Sequence, residues 1–283
     1  GIPQPWDFAW LQDLAGLDVE WTIDSEISSL RLADVPSSSR LYQLVCDHFA
    51  LSCLGGPTQL PAAEVVSVKA VHNDDLSYMF FLGLRTTDIR RGTDSAFSQP
   101  IGNDEESRCA IQRLKERFIS QQAFERSNVL FAFHGCSPDV AMAIARMGAA
   151  NLRRTDGGYF GAGIYTTLQA QYAAGYATGL LLPDGQVVMP NPDGCYTVLL
   201  CLAAVSNVYP ITRANDYPPD SRVSVFHCNF SEDSAVPIDA RRDKALKPGF
   251  DAHVVAISES SKYQAAMEGD RAVWDELVVD QER

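Results

Sequence analysis

Apolar positions along the chain follow two rhythms, and each predicts a different element. Over residues 38–54, Leu41, Leu44, Val45 and Phe49 recur on one helical face behind serines that can cap it, and Gly55-Gly56-Pro57 stops the run. Val66, Val68 and Ala70 alternate with Ser67 and Lys69, which is the period of a short strand. Asn73-Asp74-Asp75 can cap a following helix that carries Tyr78, Phe80 and Phe81. Residues 90–104 are polar and contain glycine, so they read as a loop; from Glu105, Ile111, Leu114 and Phe118 again share a helical face.

Residues 128–133 (NVLFAF) form a compact apolar run that leads straight into His134-Gly135. Ser137-Pro138-Asp139 then opens a helix, because serine caps, proline suits the first helical position and an acid favours the positive end; Gly148 closes it. The apolar runs 196–205 and 253–257 read as buried strands, and 276–279 (ELVV) as another. Residues 206–249 hold five prolines and little periodicity, which predicts mostly surface loop with a strand near 223–228. Residues 1–36 mix Trp6, Trp10 and Trp21 with acids and show no clear period. Strands interrupted by helices in irregular order indicate an α+β fold rather than a wound parallel sheet.

Composition narrows the function classes. At 283 residues the chain is long enough for a full core in one large domain, or one domain with an appendage. A net charge of −13 argues against broad binding to a nucleic-acid backbone, yet leaves room for a local nucleotide site. No run approaches the roughly 20 apolar residues that cross a bilayer, and Gly1–Trp6 lacks the basic and apolar regions of a signal peptide. Seven cysteines without a CxxC pair point to reduced thiols and an intracellular setting, so the sequon at Asn229 is read as a chance match.

The densest chemical signal is residues 157–165, GGYFGAGIY, with four glycines in seven residues. Glycines allow positive φ and close approach of a ligand to the main chain; alone, they equally describe a tight turn beside a strand. The order is GxxGxG rather than the GxGxxG of dinucleotide folds, and no GK[ST] follows, so a dehydrogenase or a phosphate loop loses its support.

With its neighbours, the run resembles something else. Phe133-His134-Gly135-Cys136, Gly157 to Tyr165, Tyr176 and Asp275-Glu276-Leu277-Val278-Val279 are similar, in order, to the catalytic domain of the poly(ADP-ribose) polymerase family. The likeness is nearest to the tankyrase-like branch with its GGxFGAGIY. Residues 39–49, residues 65–81 and Gly249-Phe250-Asp251 extend it over about 38–283. The resemblance implies an ADP-ribosyltransferase-like fold of mostly antiparallel split sheets with flanking helices, occupying 38–283 after an extension, 1–37, of unknown role. It implies a His-Tyr-Glu triad of His134, Tyr165 and Glu276, and NAD as co-substrate.

By that resemblance, His134 would hydrogen-bond the adenosine ribose, and the backbone of Gly135 would grip the nicotinamide carboxamide. Tyr165 and Tyr176 would sandwich the nicotinamide ring, where offset stacking contributes roughly 0.5–1.5 kcal/mol per pair. Cys136 would face the adenosine side, and Arg153 or Arg154, in residues 149–156, would lie over the pyrophosphate. Glu276 would be the catalytic carboxylate. The plainer readings are a core histidine, a helix-packing tyrosine and a solvated strand end.

Ala173 departs from the family, which often places there a serine bonded to the carboxamide oxygen; its loss would weaken NAD binding without changing the reaction. The expected partners are NAD and a protein acceptor, another protein or the chain itself, with residues 206–220 shaping the acceptor side. Neither membrane nor metal is expected, and the resemblance implies a nuclear or cytoplasmic location. Two other readings compete. One is a transferase fold without turnover that binds a nucleotide or a protein. The other is a metal hydrolase built on His227-Cys228 and Cys195 or Cys201, which lack zinc-site spacing.

Overall fold

The computed structural model describes residues 20–52, 64–93, 95–97, 101–119, 126–149, 158–179, 189–227, 245–259, 264–267 and 269–280. Two sheets organise them. The smaller joins β1 (Thr22–Ile23), β2 (Leu30–Asp34) and β3 (Lys69–Asn73), all antiparallel, with Leu30 opposite Asn73 and Asp34 opposite Lys69. The larger has seven strands: β4 (Phe118–Ile119), β5 (Asn128–Cys136), β6 (Ile164–Thr167), β7 (Thr197–Val205), β8 (Val208–Ile211), β9 (Ala252–Ser258) and β10 (Ala272–Val279). Their order is β4-β5-β6-β10-β9-β8, and β7 runs the whole length of the opposite edge of β5. Every pair is antiparallel except β8 with β9. Around the sheets lie α1 (Arg40–Ser52), α2 (Asp74–Thr93), α3 (Glu105–Lys115), α4 (Pro138–Met147), α5 (Ala170–Ala177) and the single turn α6 (Arg213–Asp216). The molecule is thus α+β.

Both faces of the large sheet are covered, which explains why its strands read as apolar runs rather than alternating ones. Leu114, Leu130, Ala132, Val254 and Leu277 cluster on the α3 side. Phe160, Tyr172, Val255, Trp274 and Val278 cluster on the other. Neighbours in sequence, Val254 and Val255 or Leu277 and Val278, enter different cores because successive strand side chains point to opposite faces.

Several elements follow the sequence closely. Ser39 Oγ accepts the Tyr42 N–H at 3.1 Å at the start of α1, Ser137 caps α4 with Pro138 in its first turn, and Gly148 ends it at φ 82°. Asn73 does more than cap. Its Oδ1 takes the N–H groups of Asp75 and Leu76, while its Nδ2 donates to the carbonyls of Ala145 and Arg146. One buried side chain therefore satisfies the beginning of α2 and the end of α4, groups that helices leave unpaired.

Other expectations are corrected. The strand foreseen at 66–70 begins only at Lys69, and Val66 is 64% exposed, because pairing with β2 rather than local alternation sets its register. Helix α2 continues through Thr93 into the foreseen loop. Phe118 belongs to β4, opposite Leu130, not to α3. Residues 206–227 are only in part the expected surface loop: β8 and α6 lie there, Asp216 is 2% exposed, and residues 223–227 form a turn instead of a strand, while Pro219, Asp220 and Arg222 are exposed. Prolines marked irregular backbone, and it is buried because Tyr209 Oη donates to Asp216 at 2.8 Å and the Thr212 N–H does so at 2.9 Å.

Residues 20–35, unassigned from sequence, are tied to the main body: Leu30 is fully buried, and Arg146 of α4 bonds Asp24 and Glu26. No helix among the described residues is long and apolar enough to cross a membrane.

Candidate active site

Glu276 sits near the middle of β10, opposite Thr167 on β6 and Val255 on β9. It is only 4% exposed, so it is not a solvated strand end. Burying a carboxylate is costly unless donors meet it. Among the described residues Tyr172 and Tyr176, one turn apart on α5, both donate to Oε1, Tyr176 at 3.3 Å. The sequence brings them there because α5 buries Ala170, Ala173, Gly175 and Ala177 against the sheet. Small side chains on that stripe let the helix approach closely, and the tyrosines reach over it.

Gly135 shows how close. A Cβ built on it would lie 1.8 Å from the Ala173 carbonyl oxygen and 2.9 Å from the Ala177 nitrogen. Its lack of a side chain therefore has a packing cause in α5, besides any approach of a ligand. Strands β5 and β6 share one register pair among the described residues, Phe133 with Thr167. Beyond it, the imidazole of His134 spans the gap and bonds the Tyr165 carbonyl through Nδ1 at 2.8 Å. A carbonyl only accepts, so Nδ1 carries the proton and Nε2 of the neutral ring is left as an acceptor.

Tyr165 lies opposite Val278, two residues along β10 from Glu276. Its hydroxyl donates to the Gly161 carbonyl at 2.7 Å and accepts the Phe160 N–H at 2.8 Å. The glycine run is thus wound around this phenol, with Gly158 at φ 69° and Gly161 at φ 102°. Since the hydroxyl already has two partners in the loop, the ring face is what Tyr165 can offer a ligand. His253, fully buried, fastens the same loop: Nδ1 donates to the Phe160 carbonyl at 2.7 Å and Nε2 accepts the Lys247 N–H at 2.8 Å. Burial holds its pKa down at about 4, so the ring is neutral.

The opposite face of β10 carries the anchor. Asp275, 3% exposed, takes a bidentate pair from Arg113 of α3 at 2.8 and 2.9 Å and a third bond from Gln169 Nε2 at 2.8 Å. Gln169 Oε1 in turn accepts the Asp275 N–H, and Thr167 Oγ1 donates to the Asp275 carbonyl. Adjacent residues thus divide the labour: Asp275 fixes the strand, and Glu276 presents a carboxylate.

The residues singled out from sequence are therefore distributed as follows. Tyr176 touches Glu276, Tyr165 lies on the adjoining strand, and His134 reaches Tyr165 through its backbone. Cys136 ends β5; burial pushes its thiol up to about 11, which keeps it protonated near neutral pH. Ala173 is 1% exposed in a cluster with Phe133 and Ala170. Arg153, Arg154, Gly157 and Cys228 lie outside the described residues. His227 is buried against the Tyr159 ring, and the described residues hold no group of three or more His, Cys, Asp or Glu that could bind a metal.

Sequence reasoning missed Tyr172, Gln169 and Arg113. The i, i+4 spacing of Tyr172 and Tyr176 was the available signal for the first; for the other two there was none, because their partner is more than 100 positions away. A small cavity lined by Phe80, Gly83, Thr87 and Ala204 includes none of these side chains. No protein-family model matches the chain, and no curated protein matches it in sequence.

Proposed function

We propose that the chain is an NAD-dependent ADP-ribosyltransferase of the poly(ADP-ribose) polymerase type, which cleaves the nicotinamide–ribose bond and passes ADP-ribose to a protein side chain or a growing ADP-ribose chain. The observation that carries the reading is the buried carboxylate of Glu276, beside Tyr176 and one strand from Tyr165. Nicotinamide leaves a pyridinium as a neutral molecule, so no general acid has to protonate it. What the reaction needs is a fixed negative charge near the ribose as that sugar becomes cationic. A preorganised carboxylate stabilises that charge more than it stabilises the ground-state sugar, and so lowers the barrier.

The other residues fit binding. Tyr165 and Tyr176 offer aromatic surfaces to a cationic ring. The backbone of Gly135, where the ladder from β5 to β6 has ended, would pair with the carboxamide, and His134 Nε2 would accept from a ribose hydroxyl. Glu276 would accept the 2′-hydroxyl and orient the incoming nucleophile.

A second reading, a module that binds a nucleotide or a protein without turnover, draws on Ala173: a methyl group in an apolar cluster supplies no hydrogen bond to the carboxamide. Mass spectrometry of the products formed from NAD tests the first reading. Acceptors carrying ADP-ribose, singly or in chains, are expected. Intact NAD with unmodified protein would favour the module.

A further inference from the structure

Tyr172 has no role in that reading, yet it is tightly joined to Glu276. It is 1% exposed, and its hydroxyl donates to Glu276 Oε1. Its ring stacks on Trp274 at 4.6 Å between centroids, with the planes 19° apart. Trp274 precedes Glu276 by two residues on β10, so both project from the same face. The strand thus holds the phenol from behind with Trp274 and meets its hydroxyl with Glu276. On its remaining side, Tyr176 closes edge-on at 5.3 Å, its own hydroxyl 3.3 Å from that of Tyr172.

We propose that Tyr172 is a positioning residue: its hydroxyl fixes the Glu276 carboxylate in one rotamer and keeps it ionised for the reaction. This inference rests on the reading of Glu276 as the catalytic carboxylate.

The physics runs through proton ownership. Tyr172 has one proton, and an ionised carboxylate can only accept, so that proton points at Oε1. Desolvation and the Glu276 charge both push the phenol well above its ordinary range, so it does not give the proton up. A hydrogen bond to the charged form of an acid favours that form, and opposes the burial that disfavours it. Among the described residues, the titratable groups recorded against the carboxylate are phenols: Tyr172 and Tyr176 from α5, and Tyr217 after α6, whose pKa is raised chiefly by burial and in smaller part by Glu276. Thr167 and Val255, its strand neighbours, bring no charge.

Two oxygens offer about four acceptor positions, so the two phenols on Oε1 do not exhaust the carboxylate's capacity for a ribose hydroxyl. Tyr172 is 1% exposed, so its loss acts through the two side chains its hydroxyl meets, Glu276 and Tyr176, and not by direct contact with NAD.

The test uses the whole chain with Tyr172→Phe, which keeps the ring and its stack on Trp274. The Glu276 carboxyl is followed by carbon-13 NMR of protein labelled at glutamate, its signal identified by loss in Glu276→Gln. The titration midpoint of Glu276 is expected to rise by about one unit or more in Tyr172→Phe. In NAD turnover, kcat is expected to fall at least about tenfold with KM within about twofold, and the acid limb of the rate profile to move to higher pH. In a Glu276→Gln background, Tyr172→Phe should lower kcat no further, since the bond acts only through the carboxylate.

An unchanged midpoint in Tyr172→Phe would overturn the inference, whatever the activity. So would equal kcat and an unshifted profile in a parent that turns over NAD. A parent with no turnover would sink the functional reading alone, and the carboxyl titration would still decide whether Tyr172 holds Glu276.

Discussion

Replacing Arg113 by alanine should show how strongly the back of β10 is held. Arg113 gives Asp275 two parallel bonds at 2.8 and 2.9 Å, and the Asp275 side chain is 4% exposed against 37% for Arg113. Removing one partner of a fully buried pair costs about 3–5 kcal/mol, because the other charge stays buried. Two features reduce this. Arg113 is more than a third exposed, so water screens it, and Asp275 keeps its bond from Gln169. We therefore expect a loss of about 2 kcal/mol, near the value of one charge-assisted hydrogen bond. For a domain of this size that is about 4–8 °C in Tm. Thermal and urea unfolding of the parent, Arg113→Ala, Asp275→Asn and the double variant would measure it. The coupling between the two sites should exceed about 1 kcal/mol. Additive effects, or a Tm for Arg113→Ala within about 1 °C of the parent, would refute the claim that this pair fastens the strand.

Other outcomes follow from the same geometry. Gly135→Ala should be destabilised by about 3 kcal/mol or more, and yield little folded protein, because its Cβ meets the α5 backbone at 1.8 Å; normal expression and Tm would contradict the packing. His253 titrates at about 4 when folded and at 6.5 otherwise. Its contribution is therefore complete above pH 6.5 and is lost as pH falls towards 4, about 3 kcal/mol in all. Urea midpoints across that window should drop for the parent and flatten in His253→Gln, and equal slopes would exclude His253 as the cause. Ala173→Ser should lower the KM for NAD roughly twofold to tenfold by adding one neutral hydrogen bond; an unchanged KM would mean that position 173 does not border the carboxamide.

Elements whose signals are local were legible in the sequence. Ser137 and Gly148 bracket α4 because caps and stops act within one turn, and Asn73 announced α2 for the same reason. The apolar runs that became β5, β7, β9 and β10 were equally plain, since strands covered on both faces carry no polar beat. What depended on distant partners was hidden. Lys69, not Val66, opens β3 because β2 pairs there. The buried part of 206–227 is tied down by bonds such as that from Tyr209 to Asp216, which prolines do not reveal.

At the candidate site, Tyr176 and Glu276 could be named from motif alone. Tyr172 could not, although it touches the same carboxylate. The glycine run had two readings, ligand approach and tight turn; the geometry gives the turn a concrete partner, the Tyr165 hydroxyl.

In the proposed reaction the Glu276 carboxylate drives cleavage of the nicotinamide–ribose bond. Release of nicotinamide from NAD, measured side by side for the parent and for Glu276→Gln, tests it most directly, because the amide keeps the shape and removes the charge. The parent should release nicotinamide, and the variant should do so at least about a hundredfold more slowly, the size expected when a preorganised electrostatic group is lost. Equal release by both proteins would contradict that role for Glu276.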